Sequence, residues 1–145
     1  MKQRRQRLSL AYAIGTAFIA TLGLTACQTT AQNDAPKWVE VQGAQVENIR
    51  LYVDDNHITP SAENPAWRDA YILNQQADAQ ENSESVVLSV TINCNERQMR
   101  VNEVNAYSQS YGRGDVTGSG SGSPEFLPAP PEDVVGNALV DAVCK

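Results

Sequence analysis

The chain has 145 residues, with 17 acidic and 11 basic side chains and a formal net charge of −6. Four of the basic residues lie in the first seven positions, so residues 27–145 hold 7 basic and 17 acidic residues and carry −10. This excess of acid argues against a nucleic-acid partner, because proteins that bind the phosphate backbone need a surplus of Lys and Arg. His57 is the only histidine, which leaves little material for a multi-histidine metal site or a Ser-His-Asp triad.

The first 26 residues have the three-part layout of a secretory signal peptide. Four positive charges in Met1–Arg7 precede an uncharged, largely apolar run, Leu8–Leu24, and small residues follow it. The run is near the lower length limit for a transmembrane anchor, which is the alternative interpretation. Leu24-Thr25-Ala26-Cys27 resembles a bacterial lipobox, which is cut just before its cysteine. A plain signal peptide with a coincidental cysteine is the other alternative.

The lipobox predicts that Cys27 carries three acyl chains (palmitate and similar) and anchors the protein to a membrane. At about 0.8 kcal/mol per buried methylene, three chains hold a protein far longer than one. Gln28 stands where lipoproteins retained in the inner membrane often have Asp, so the sequence favours the outer membrane. Residues 27–36 are small and polar and are expected to form a lipidated flexible tether, and residues 37–145 to form one domain.

Period-two alternation of apolar and polar residues predicts an antiparallel sheet. The clearest case is Ser85–Cys94, in which Val86, Leu88, Val90, Ile92 and Cys94 share one face. Asn95-Glu96 is a candidate two-residue turn, and Arg97–Tyr107 is the expected returning strand. The other predicted strands are Trp38–Val41, Ile49–Val53, Ile58–Thr59 and Trp67–Ala77, with loops at Pro60–Pro65 and Asp78–Glu84.

Two signals mark the C-terminal part. Five glycines and three serines among Gly112–Ser123 predict a mobile loop, because side-chain burial there cannot offset the entropy of ordering. Pro131-Glu132-Asp133 is typical of a helix start with Pro at the first position, and Val135, Leu139 and Ala142 follow as an apolar stripe. The expected fold class is therefore α+β, a small antiparallel β-sheet with one C-terminal α-helix packed on it.

The cysteines support an oxidising compartment. With Cys27 used for the lipid, Cys94 and Cys144 remain, an even number in an envelope protein. A disulfide between them would staple the helix to the Ser85–Cys94 strand, and closing that loop is worth about 4 kcal/mol by chain entropy. Two free buried thiols, or two ligands of a metal site with His57, are the alternatives, although the short spacings usual for zinc are missing.

Several residues follow one another in a recognisable order: Trp38, Tyr52-Val53-Asp54 with Ile58, Ile92-Asn93-Cys94 with Arg97 and Arg100, Tyr107, and Cys144. This order resembles the surface-adhesin protein E family of Gram-negative outer-membrane lipoproteins. The resemblance covers about residues 37–145 and implies a small antiparallel β fold with a C-terminal helix, paired Cys94 and Cys144, and a role in adhesion and virulence. Some members are implicated in binding vitronectin, laminin and plasminogen. Phe126 and Pro131 stand where Trp and Ser are common in the family.

Few residues are candidates for binding. The resemblance implies Arg97 and Arg100, which could grip acidic groups of a partner or instead bond the domain's own carbonyls and carboxylates. Arg113-Gly114-Asp115 looks like the integrin-recognition tripeptide and lies in the predicted loop. Asp54-Asp55 lacks the further ligands of a calcium loop and is expected to form a turn. No cofactor, metal or catalytic constellation is indicated, so we expect no enzyme.

Two functions remain open at this point. The first is an outer-membrane surface adhesin that binds host or extracellular-matrix protein through a sheet edge or loop. The second is a periplasm-facing envelope lipoprotein with a structural or partner-binding role. The sequence does not separate them, because a lipid anchor does not fix the side of the membrane on which the domain lies. An exposed sheet edge could also form a homodimer.

Overall fold

A computed structural model describes residues 35–145. The predicted signal peptide, the acylation site Cys27 and most of the tether lie outside the described residues, so they stay predictions. The bounds of the elements in the described chain are β1 Trp38–Glu40, β2 Ile49–Asp54, β3 Thr59–Pro60, β4 Trp67–Gln76, β5 Ser85–Asn93, β6 Gln98–Gln109, β7 Arg113–Ser121, β8 Leu127–Pro128 and α1 Val134–Val143.

The strands form one antiparallel sheet in the order β1-β2-β4-β5-β6-β7. β3 pairs with β4 in line with β2, and β8 pairs with β6 in line with β7. Most neighbours in the sheet are also neighbours in sequence, which favours antiparallel pairing through short connections. The predicted fold class, an antiparallel sheet with one C-terminal helix, is confirmed.

The core lies between α1 and one face of the sheet. Leu139, Val140 and Val143 of α1 are at most 5% exposed, and each such burial contributes about 1.5–3 kcal/mol. The predicted apolar face of β5 is confirmed from Leu88 to Cys94, since these alternate residues lie in or against the core. The other strand residues of the core are Leu51, Val53, Ala70 and Ile72.

A disulfide joins Cys94, just after β5, to Cys144, just after α1, with an S–S distance of 2.02 Å. The predicted pairing is confirmed, and the alternatives of free thiols or metal ligands are wrong. The bond ties the end of the helix to the sheet across a sequence separation of 50 residues.

α1 begins at Val134, so the predicted start with Pro131 at the first helical position is wrong. Asp133 is the N-cap, and its Oδ1 accepts a hydrogen bond from the backbone N–H of Gly136 at 2.9 Å. An Asp cap satisfies a donor that the first turn would otherwise leave free, which fixes the first helical residue three positions after Pro131. A Cβ on Gly136 would collide with that carboxylate, so the glycine makes room for the cap.

The Gly/Ser-rich stretch forms the edge strand β7, so the predicted mobile loop is wrong. Its backbone pairs with β6 from Ser121 opposite Glu103 to Arg113 opposite Gln109. All nine residues of β7 are exposed, which means that side-chain burial does not order it. Backbone hydrogen bonds to a long neighbouring strand order it instead, a source of stability that composition alone does not reveal.

Candidate functional site

The sheet face opposite α1 carries polar and aromatic side chains. Ser89 and Thr91 alternate with the core residues of β5 and therefore project to this face. Their partners on β4 are Tyr71 and Asp69, and the partner of Ser89 on β6 is Glu103. Because directly opposite residues of neighbouring strands project to the same side, Tyr71, Ser89 and Glu103 form a row across three strands.

Two adjoining cavities lie on this face, with volumes of about 270 and 370 Å³. His57, Tyr71 and Ser89 line both cavities, so we treat them as one depression and call it the polar-face groove. Other residues that line it are Trp38, Asp54, Glu103 and Tyr107 in the first cavity and Glu63, Asp69 and Thr91 in the second.

Asp54 and His57 form one wall of the groove. Asp54 is 2% exposed, and its Oδ1 accepts the backbone N–H groups of Lys37 at 2.9 Å and Asn56 at 3.1 Å. His57 Nδ1 donates to Asp54 Oδ2 at 2.5 Å, and the imidazole lies edge-on to Tyr71, with ring centroids 6.3 Å apart. The turn expected at Asp54-Asp55 is confirmed, and it holds His57 in place through a buried carboxylate.

Trp38 forms a second wall. Its Nε1 donates to the backbone carbonyl oxygen of Tyr111 at 3.2 Å. Gly112, at φ +67°, lies beside the indole, and a Cβ there would be 3.0 Å from Val87 and 3.8 Å from Trp38. Glycine at this corner therefore lets the chain take a left-handed turn and lets the indole pack close to the backbone.

Two groups near these walls have shifted pKa values. Burial raises the pKa of Tyr52 above its ordinary 10.0, and the nearby Tyr111 and Glu40 raise it further. The rings of Tyr52 and Tyr111 meet edge-on, with centroids 5.9 Å apart. A hydrogen bond from Lys37 lowers the pKa of Asp55, and the two side chains form an ion pair at 2.8 Å.

The polar-face groove is acidic. Asp54, Glu63, Asp69 and Glu103 line the two cavities, and among residues 35–145 no Lys or Arg lines either cavity. Thr91 Oγ1 donates to Asp69 at 2.7 Å, and Glu63 forms an ion pair with Arg100. Glu103 is exposed and accepts from Asn105 at 3.0 Å, and within residues 35–145 no basic side chain forms an ion pair with it. Glu103 is therefore the carboxylate in the groove most available to a ligand.

Arg97 connects the sheet to α1. It lies in the turn before β6 with φ +52°, so its predicted place on the returning strand is wrong. The reversal of the chain requires a left-handed residue at this position. The guanidinium donates twice to Asn137 Oδ1, at 3.0 and 2.8 Å, and pairs with Asp141 at 2.8 Å. Binding of a partner's acidic group by Arg97 stays a prediction.

Arg100 also contacts its own domain. Its guanidinium pairs with Glu63 and lies 6.0 Å from the ring centroid of Trp67 and 5.0 Å from that of Phe126. Trp67 and Phe126 are themselves in edge-on contact at 4.8 Å, so Arg100 is held in a cation–π and ion-pair cluster. A binding role for Arg100 likewise stays a prediction.

Arg113-Gly114-Asp115 begins β7 at the open edge of the sheet. Arg113 Nε donates to the backbone oxygen of Ser110 at 3.2 Å, and the N–H of Asp115 donates to Ser108 Oγ at 3.0 Å. Both charged residues are exposed, and Gly114 takes φ +79° between them. The tripeptide is thus displayed on a strand with a fixed backbone, and its recognition by integrin stays a prediction.

Sequence reasoning missed the polar-face groove. The sequence assigned faces only to the residues of β5, and the grouping of residues from β4, β5 and β6 depends on which strands are neighbours and in what register. Tyr71, Ser89 and Glu103 come together because each pairs directly with the next. A period-two reading of all three strands, taken with this register, is the signal that could have found it.

A comparison with protein-family models matches residues 38–145 to the model described as surface-adhesin protein E. The chain belongs to the surface-adhesin protein E family. The match begins at Trp38, a wall of the groove, and includes every strand and α1. A search of the curated proteins and a search of the solved structures each found no match.

Membership of the surface-adhesin protein E family indicates a surface adhesin with a non-enzymatic role. Among residues 35–145 no helix has the length and apolar character needed to span a membrane. Within the same residues, no group of three or more His, Cys, Asp or Glu side chains is arranged to hold a metal ion.

Proposed function

We propose that this protein is a surface adhesin, held in the outer membrane by acyl chains on Cys27 and facing outward, that binds a host or extracellular-matrix protein. The family match over residues 38–145 is the observation that carries the proposal. Vitronectin, laminin and plasminogen are the candidate partners, because the family resemblance implies them.

β7 is an open edge at which a partner could dock, which supports this proposal. The strand pairs with β6 on one side only, and its nine residues are exposed. Natural sheets block free edges with Lys, Pro or inward-pointing charges, and the stretch from Val116 to Gly122 contains none of these. An extended segment of a partner can therefore add to the sheet through backbone hydrogen bonds.

The proposed anchor suits a displayed domain. Ten residues separate Cys27 from Trp38, and an extended chain spans at most about 3.3–3.6 Å per residue, so the tether reaches roughly 35 Å. A length of that order lets the open edge of the sheet stand clear of the membrane surface.

The first experiment measures accessibility on whole bacteria. Antibody against residues 37–145 is applied to intact and to permeabilised cells, with a known periplasmic protein as the control. The proposal predicts signal on intact cells. Signal only after permeabilisation would exclude the adhesin function and support the second candidate, a periplasm-facing envelope lipoprotein.

The second experiment tests the edge. Cells that display wild-type protein are compared on coated vitronectin, laminin and plasminogen with cells that display Gly120→Lys, which places a blocking charge on β7. Gly120 lies opposite Val104, so its side chain projects to the sheet face away from the polar-face groove, and nothing lies within 4 Å of a Cβ there. Asn95→Lys adds the same charge in an exposed turn outside β7 and serves as the matched control. We expect Gly120→Lys alone to reduce binding. Equal binding by all three proteins would exclude β7 as the docking edge.

A further inference from the structure

We propose that the polar-face groove binds a positively charged side chain, lysine or arginine, presented by a protein partner. The inference rests on the proposed adhesin function and deepens it by naming the chemistry of the partner. The surface is separate from the β7 edge, so the two can be tested apart.

Three aromatic rings line the first cavity of the groove. Trp38 and Tyr107 line the first cavity, and Tyr71, which is 44% exposed, lies where the two cavities adjoin. The face of an aromatic ring is electron-rich and attracts a cation placed over it. Three rings around one depression are a common arrangement for holding an ammonium or guanidinium group.

The charge of the groove favours the same ligand. Four carboxylates line the two cavities, of which Glu63 is paired with Arg100, and within the described part of the chain no Lys or Arg lines either cavity. Glu103 lies in the first cavity with Trp38 and Tyr107, is exposed, and has no basic partner within residues 35–145. A guanidinium over the rings could therefore form a charge-assisted hydrogen bond with Glu103.

The walls are held in place before any ligand arrives. Trp38 is fixed through its bond to the Tyr111 carbonyl, and His57 through its bond to Asp54. Rigid walls reduce the entropy lost on binding. A first cavity of about 270 Å³ lies below the usual range for drug-sized ligands, about 300–1,000 Å³, and suits one side chain of a larger partner.

A carbohydrate is the competing ligand, because sugars also stack on aromatic rings. The carboxylates would repel an acidic sugar. A neutral sugar can donate hydroxyl hydrogen bonds to carboxylates, but it gains no ion pair with Glu103. A cationic side chain uses both the rings and the carboxylates.

The test is an NMR titration of the full mature chain carrying Cys27→Ser, which prevents acylation. The probes are the blocked peptides Gly-Gly-Arg-Gly-Gly and Gly-Gly-Lys-Gly-Gly, followed through the indole N–H of Trp38. The comparison probe replaces arginine by citrulline, which keeps the shape and removes the charge. We expect the Arg or Lys peptide to shift the Trp38 signal with roughly millimolar affinity, and the citrulline peptide to bind at least about fivefold more weakly.

Two variants locate the site. Glu103→Gln removes one charge with little change of shape and should weaken the better cationic peptide about fivefold, whereas Glu125→Gln, exposed and outside the groove, should leave it unchanged. Equal binding of the arginine and citrulline peptides, no binding of either cationic peptide, or an unchanged Glu103→Gln titration would each overturn the inference. So would a neutral disaccharide that shifts Trp38 more strongly than the cationic peptides.

The outcomes separate this inference from the proposed function. If the domain faces the periplasm, adhesion fails but the peptide titration is unaffected. If the titration fails while Gly120→Lys still reduces matrix binding, the adhesin proposal stands and the groove has no part in it.

Discussion

Trp38 Nε1 donates a hydrogen bond to the backbone carbonyl oxygen of Tyr111, across 73 residues of sequence. Trp38 begins β1 at one edge of the sheet. Tyr111, at the corner between β6 and β7, lies over β4 and β2, since its N–H donates to Gln75 Oε1 at 2.8 Å and its ring centroid is 5.9 Å from that of Tyr52. The corner therefore folds back over the polar face of the sheet and meets Trp38 there. This one contact therefore shapes the groove and braces the sheet.

Replacing Trp38 by Phe should lower the free energy of unfolding by about 1–2 kcal/mol, since the hydrogen bond and part of the packing are lost. Urea unfolding followed by circular dichroism measures it. The control is Val39→Ala on the same strand, which truncates a side chain 37% exposed and should cost less. Equal losses in the two variants would show that the Trp38–Tyr111 contact does not brace the sheet.

Removing the disulfide with Cys94→Ser and Cys144→Ser together should lower the free energy of unfolding by about 4 kcal/mol. The bond closes a loop across a separation of 50 residues, so its loss frees a large part of the unfolded chain. Urea unfolding of wild type in reductant should show the same loss, whereas reductant should not affect the double variant. A loss below about 1 kcal/mol would mean that Arg97 and the core hold α1 without it.

Stability should fall in alkaline solution through Tyr52. Burial raises its pKa in the folded protein above 10.0, so the unfolded chain loses this proton first as the pH rises. The stability that this shift contributes is fully present below pH 10.0 and is lost as the pH rises through the folded pKa.

Urea unfolding at a series of alkaline pH values measures the effect in wild type and in Tyr52→Phe, which cannot ionise. The slope above pH 10.0 should be smaller in Tyr52→Phe. Val39→Ala, which removes no titratable group, should keep the wild-type slope. If Tyr52→Phe keeps it as well, burial of Tyr52 is not the cause of the alkaline loss.

Predictions from the sequence held where a pattern is local. The alternation in β5 and the apolar stripe of α1 are periodic signals carried by a few successive residues, and both were recovered. The Cys94–Cys144 bond was recovered because only two cysteines remained after Cys27. Each of these inferences needs no knowledge of which strands are neighbours.

Predictions failed where pairing or capping competes with composition. The Gly/Ser stretch is ordered by β6 rather than by burial, and Asp133 caps α1 through Gly136, which overrides the start signal at Pro131. The groove was not predicted because it depends on the register between β4, β5 and β6. Tertiary pairing decides the Gly/Ser stretch and the groove, and no local pattern of the sequence reveals it. The helix start is instead decided by one of two local signals that compete.

If integrin recognises Arg113-Gly114-Asp115, Asp115→Glu should abolish adhesion to integrin-bearing cells, because the added methylene moves the carboxylate relative to Arg113. The measurement is an adhesion assay on integrin-bearing cells, with bacteria that display either the wild-type protein or the variant. Asp78→Glu makes the same change at an exposed residue outside β7 and should have no effect. Unchanged adhesion with Asp115→Glu would exclude a role for the tripeptide.

Replacement by alanine should lower the stability much more at Gly122 than at Gly120. A Cβ on Gly122 would overlap the carbonyl oxygen of Val101, and the N–H of Gly122 donates to Asn102 at 2.9 Å, so the backbone cannot retreat without losing that bond. We expect Gly122→Ala to lower the free energy of unfolding by about 2 kcal/mol or more. Nothing lies within 4 Å of a Cβ on Gly120, so Gly120→Ala should change it by less than about 0.5 kcal/mol. Urea unfolding compares the two variants, and equal stability would mean that this end of the Gly/Ser stretch is not packed against β6.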